Sequence, residues 1–176
     1  MALIPIVKYG DPRLKRKAQP VDPKDPSLKP LVRDMFETMY QSDGVGLAAN
    51  QVGLLKQVVV IDVGGREKPE PLVLLNPVIM ETGGEVEEEE GCLSIPDIRA
   101  KALRAGFCRV KALDLEGRPL EVASDGLLGK ALQHEVDHLN GVLFVDRLRM
   151  TSKALISGKL KALKKETERA LKDGKG

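Results

Sequence analysis

Ser124-Asp125-Gly126-Leu127-Leu128-Gly129-Lys130-Ala131-Leu132-Gln133-His134-Glu135-Val136-Asp137-His138-Leu139-Asn140-Gly141 reads as one helix with both ends written into it. Ser124-Asp125-Gly126 has the composition of a cap, and Asn140-Gly141 supplies the stop. Leu127, Ala131, His134 and His138 fall on a single face. The two histidines are the only ones in the chain, and a four-residue spacing projects them about 40° apart on the helix wheel. Glu135 follows the first of them. The result is His-Glu-x-x-His: two imidazoles for a metal and a carboxylate placed to act on a water.

On either side of this helix the chain reads as strands and helices of ordinary length. Gln57 to Val63 is a compact β-branched run, and Leu72 to Leu75 is a second, closed by Asn76-Pro77. Phe107 to Leu115 and Pro119 to Val122 flank Glu116-Gly117, a short hairpin turn. Ser27 and Pro30 open an earlier helix in which Leu31, Met35 and Met39 recur every four residues, and Ser42-Asp43-Gly44 closes it. Leu3 to Asp25 is rich in proline and is expected to hold little regular structure. A last amphipathic helix starts near Ser152. This order predicts an α+β fold: antiparallel β-sheets packed around a central helix that carries His-Glu-x-x-His, plus a C-terminal helix. A chain of 176 residues suits one domain. Residues 1–150 form its catalytic part, and residues 151–176 form a basic C-terminal helix of the same domain.

Composition narrows the function classes. Aromatic residues make up 3% of the chain and tryptophan is absent, which argues against stacking platforms for nucleic-acid bases. The net charge of +2 is too small to point to DNA. Two cysteines make no disulfide framework. The longest aliphatic stretch, Val58 to Ile61, falls far short of a membrane span. Basic residues Arg13, Lys15, Arg16 and Lys17 follow the apolar start, the reverse of a signal peptide, so a reducing cytoplasm is expected. Lys153 to Gly176 carries a net +5 and is the one basic feature with a meaning for partners. Glu87 to Glu89 reads as a solvated acidic edge, and Glu90 as a local hydrogen-bonding partner near the site.

Two histidines do not hold a catalytic metal alone; a third ligand is needed, with one position left open. One class of zinc peptidase places a histidine six residues after the second histidine of the motif, but that position is Phe144. Another uses a downstream glutamate, and the first after the motif is Glu166, inside the lysine-rich tail. Both options fail, which turns attention upstream to Cys92 and Cys108. Cys108 sits in an alternating strand and reads as a small buried hydrophobe. Spacing alone does not choose the ligand.

Three segments, taken together, carry a family resemblance. Gly44-Val45-Gly46-Leu47-Ala48-Ala49-Asn50-Gln51, Glu90-Gly91-Cys92-Leu93-Ser94 and Gln133-His134-Glu135-Val136-Asp137-His138 resemble, in order and separation, the signature segments of the peptide deformylases. Tyr9-Gly10-Asp11-Pro12-Arg13-Leu14 matches as well, and the resemblance runs from about Ile4 to Leu148. It implies removal of the formyl group from N-formylmethionyl nascent peptides, with release of formate. It implies one divalent metal on Cys92, His134 and His138, commonly Fe2+, with Zn2+, Ni2+ or Co2+ able to replace it. Glu135 is then the general base, and the Gln51 amide and Leu93 N–H are the oxyanion donors. Val45 and Leu127 line the methionine pocket, Gly46 binds the peptide backbone, and Arg99 holds substrate carbonyls. The family usually has an apolar residue where this chain has Lys130. The family also suggests that the basic C-terminal helix docks on the ribosome.

Overall fold

The computed structural model describes residues 2–174. Strands β1 (Gly46–Ala48), β2 (Val58–Ile61), β3 (Leu72–Gly83), β6 (Phe107–Leu113) and β7 (Pro119–Ser124) form one antiparallel sheet in the order β1-β2-β3-β6-β7. Strands β4 (Val86–Cys92) and β5 (Ile95–Arg104) form a separate antiparallel hairpin. Helix α1 (Leu28–Gln41) and helix α2 (Leu127–Leu139) pack on opposite faces of the larger sheet, and α3 (Met150–Lys172) ends the described chain. This is the expected α+β arrangement, with α2 at its centre. Among the described residues no helix is long and apolar enough to cross a membrane.

β2 shows why the sheet is covered on both sides. Val58 and Val60 pack with Leu28, Val32, Met35 and Met39 of α1, while Val59 and Ile61 pack with Ala131, Leu132 and Leu139 of α2. A strand buried on both faces is apolar throughout, which is what its β-branched run records. Each fully buried aliphatic side chain contributes roughly 1.5–3 kcal/mol. Cys108 belongs to the α2 side of this core, and burial pushes its thiol up, so it is a packing residue and no ligand. A further cluster joins Ile95, Ile98 and Ala102 of β5 to Phe144 and to Ile156 and Leu160 of α3. The C-terminal helix is thereby packed onto the β4–β5 hairpin.

Three expectations change. β3 does not end at Asn76-Pro77 but runs on to Gly83. Asn76 takes a left-handed φ of 52°, which its short polar side chain tolerates, and the register slips between Leu75 and Val78. Pro77 lacks an N–H and falls at that irregularity, where no ladder bond is needed. The β6–β7 connection is a loop of Asp114 to Arg118 closed by the Asp114 carboxylate on the Glu116 and Arg118 N–H groups, not a tight Glu116-Gly117 turn. The last helix begins at Met150. β4 lacks an alternating apolar pattern across Glu87 to Glu90, whose contacts are ion pairs. Glu87 pairs with Arg149, Glu88 with Lys130, Glu89 with Arg99 and Glu90 with Arg104. Glu87, Glu88 and Glu89 are exposed, the solvated acidic edge expected, each carrying an ion pair, while Glu90 turns inward as the local partner of the site.

Candidate active site

The His-Glu-x-x-His face of α2 meets the end of β4. His134 Nε2 and His138 Nε2 lie 3.2 Å apart, and Cys92 Sγ lies 3.3 Å from His138 Nε2. All three ligand atoms fall within 4.8 Å of one another. Ligands held at zinc-like bond lengths in a tetrahedron stand about 3.3–3.6 Å apart, so the observed spacing fits a single ion. Phe144, at the position where one peptidase class has a third histidine, stacks on the His134 ring with centroids 6.2 Å apart. The donor set is one thiolate and two imidazoles, which suits a soft or borderline divalent metal.

A line of charge sets the imidazole. His134 Nδ1 donates to Glu90 Oε1 at 2.9 Å, which leaves Nε2 as the nitrogen with a free lone pair. Arg104 grips Glu90 through two bonds of 2.9 Å and reaches Asp137 at 2.6 Å; Arg147 holds Asp137 from the other side at 2.9 and 3.1 Å. Burial alone would raise the Glu90 carboxyl. The bonds from Arg104 and His134 outweigh it and hold the group down to about 2.

Glu135 is buried beside the ligands, with Oε1 4.0 Å from His134 Nε2 and Oε2 without a protein partner among the described residues. Burial pushes its carboxyl up to about 7, with the negative charges of Glu90 and Asp137 adding to the effect against the positive charge of Arg104. The backbone of β1 leaves it room. A Cβ on Gly46 would stand 2.8 Å from Glu135 Oε1, so any larger residue there would push this carboxylate from its place.

Gln51 lies on the 3₁₀ turn Ala49–Val52. Its Oε1 accepts the Ala48 N–H at 3.0 Å, which fixes the amide so that Nε2 points at Cys92 Sγ (3.4 Å) and Ser94 Oγ (3.2 Å). Leu93 follows Cys92 in the turn of the β4–β5 hairpin, and its carbonyl accepts from Lys8 Nζ at 3.4 Å.

A cavity of about 760 Å³ opens over these groups. Gly46, Gln51, Cys92, Leu93, His134 and Glu135 line its floor, with Val45, Leu127 and Arg99 also in its walls. Val45 and Leu127 are 41% and 53% exposed, as large apolar side chains are when they face an open cleft. Arg99 is held by Glu89 at 2.9 Å. His138 is fully buried behind the others. The residues to which the resemblance gives metal, catalytic and substrate roles are thus brought to one place. Sequence reading gave no role to Asp137 and Ser94, although both stand inside the quoted segments, and it missed Arg104 and Lys8, which belong to none; all four bond to groups of the site.

The chain is similar to known proteins over nearly all of its length. The sequence profile of the polypeptide deformylase family matches residues 3–154. A peptide deformylase of Chromobacterium violaceum is 48% identical over 166 residues, 94% of this chain and 99% of that protein. One of Acidobacterium capsulatum is 45% identical over 169 residues, 96% of this chain and 99% of that protein. The crystal structure of a peptide deformylase from Legionella pneumophila superposes with a TM-score of 0.86 at 45% identity, covering 96% of this chain and 99% of the other.

Proposed function

The chain belongs to the peptide deformylase family, metal-dependent hydrolases that remove the N-terminal formyl group from nascent polypeptides, and from that premise we propose how its residues divide the work. Cys92, His134 and His138 hold one divalent metal, which we assign as Fe2+, with Zn2+, Ni2+ or Co2+ as replacements. When bound, such an ion acts as a Lewis acid and brings the pKa of a water to about 7. The remaining work falls to the protein. Glu135 takes the proton of the water as its oxygen attacks the formyl carbon, then returns it to the amine nitrogen as the C–N bond breaks. Formate and a free N-terminus leave. The Gln51 Nε2 and the Leu93 N–H donate to the formyl oxygen as it gains charge.

Val45 and Leu127 take the methionine side chain in this reading, and Gly46 with the segment after Cys92 pairs with the peptide backbone as an added strand. Arg99 meets substrate carbonyls at the rim. We read residues 1–150 as the catalytic part and residues 151–176 as a helix of the same folding unit, working in the cytoplasm.

The observation that carries the reading is the locked Gln51 amide, whose donor end faces the sulfur of the same three-ligand cluster that Glu135 adjoins. The test is formate release from a formyl-Met peptide by anaerobically prepared, Fe2+-loaded protein. Turnover is expected, and Gln51→Ala is expected to lower kcat by ~10²–10³-fold with metal content unchanged. No turnover by protein holding one metal per chain would sink the reading.

We also assign the exposed Lys159, Lys161, Lys164, Lys165 and Arg169 of α3 to ribosome contact; Lys175 of the same basic run lies outside the described residues. Because Ile156 and Leu160 are buried, deleting the helix would damage the core, so charge reversal of the four lysines is the cleaner experiment. Ribosome co-sedimentation at low salt should be lost while peptide turnover persists. Unchanged co-sedimentation would reject the assignment.

A further inference from the structure

β4 is joined to α2 by two rungs of charge. Glu88 and Glu90 stand two residues apart on the strand, so they share a face and lie about 6.7 Å apart. Lys130 and His134 stand four apart on the helix, share a face, and are separated by about 6 Å of rise. The spacings match. Glu90 bonds His134, and Glu88 bonds Lys130. The inner rung serves a metal ligand. The outer rung has no part in the proton transfers, yet both of its members line the cavity beside Leu127 and Ala131. Lys130 is the more enclosed of the two, its side chain 21% exposed against 54% for Glu88.

Resting on the assignment of that wall to the first side chain of the substrate, we propose that Lys130 is a specificity-determining residue that lets this deformylase accept a formyl-methionine oxidised to its sulfoxide. The chemistry of the side chain is amphipathic. Its four-carbon stem offers apolar surface to an unbranched side chain. Its ammonium has three N–H donors, and Glu88 engages it on one side. A thioether sulfur is a weak acceptor and makes little use of the others, whereas a sulfoxide oxygen accepts them fully. The sulfoxide is the ordinary first product of methionine oxidation and places its oxygen at the same point along the side chain. A wholly apolar pocket discriminates by about 10² against an isostere that adds one polar oxygen. The Lys130 ammonium removes most of that discrimination, while the deformylation step stays the same hydrolysis.

The experiment compares kcat/KM for formyl-methionyl, formyl-methionine-sulfoxide and formyl-norleucyl peptides with the metal-loaded enzyme. The native protein is expected to keep the sulfoxide within about tenfold of the thioether. Lys130→Met should widen that ratio to about 10² by losing the sulfoxide while retaining norleucine. Lys130→Arg, which keeps a cationic donor, should stay near the native ratio. Glu88→Gln, which keeps the ammonium and removes its partner's charge, should retain sulfoxide turnover. Equal ratios in the native and Lys130→Met proteins, or loss of sulfoxide turnover in Glu88→Gln, overturn the proposal. A native enzyme that turns over formyl-methionine but rejects the sulfoxide a hundredfold overturns it as well. If the native enzyme, holding one metal per chain, turns over none of the three peptides, what fails is the functional reading on which the proposal rests.

Discussion

Replacing Glu135 with glutamine is expected to lower kcat by ~10²–10⁴-fold while leaving one metal per chain and KM nearly unchanged. Glutamine has the shape of the carboxylate it replaces, so the close contact with Gly46 and the packing on β1 survive. It keeps an acceptor oxygen and loses the ability to take a proton. Glu135 is not among the three ligand atoms that converge, so the metal has no reason to leave. KM should hold because the cavity walls that would carry binding, Val45 and Leu127, are untouched. Three measurements on one preparation decide it: metal content, formate release at saturating peptide, and the KM. A variant that keeps more than about a tenth of the native kcat would show that the proton is handled elsewhere. A variant that loses its metal would show that Glu135 holds the cluster together.

The chemistry of this site was legible in the sequence because its atoms come from short local motifs. His134, Glu135 and His138 are fixed relative to one another by helical spacing alone. The choice of Cys92 over Cys108 was not legible from spacing, since it depends on how far β4 reaches along α2, a tertiary fact. The large sheet could be read from β-branched runs such as Val58 to Ile61, whose two faces meet two different helices. The β4–β5 hairpin could not. A strand normally announces itself by apolar residues on alternate positions, and Glu87 to Glu90 shows none. Its inner face is bound by Glu88 and Glu90 to Lys130, His134 and Arg104 instead. Charge replaces hydrocarbon there, buried at Glu90 and Arg104 and exposed at Glu88, and a reading based on hydrophobic period sees only a polar edge. Arg104 was missed for the same reason, since it closes the strand that such a reading passes over.

That buried arginine carries the second large effect. Arg104→Met is expected to lower folding stability by about 3–5 kcal/mol. The Arg104 side chain is 3% exposed and sits between the carboxylates of Glu90 and Asp137. Methionine fills much of the volume left by the stem but leaves two largely buried anions facing one another. Asp137 retains Arg147, whereas Glu90 retains only its bond to His134. The strain therefore falls mainly on Glu90, the group that orients a metal ligand, and metal affinity should drop by about 10–100-fold alongside stability. Adding Glu90→Gln to the variant removes the uncompensated charge while keeping an oxygen that can accept from His134 Nδ1. The double variant should then be more stable than Arg104→Met alone, although it has lost one more native residue. Chemical denaturation of the four proteins of this cycle, with metal affinity measured by competition against a chelator, tests both effects. If Arg104→Met costs less than about 1 kcal/mol, or if the second substitution only adds to the loss, then charge compensation is not what holds β4 against α2. The hairpin's attachment would then rest on its apolar contacts with Phe144 and α3, and the metal ligand would be oriented without help from the arginine.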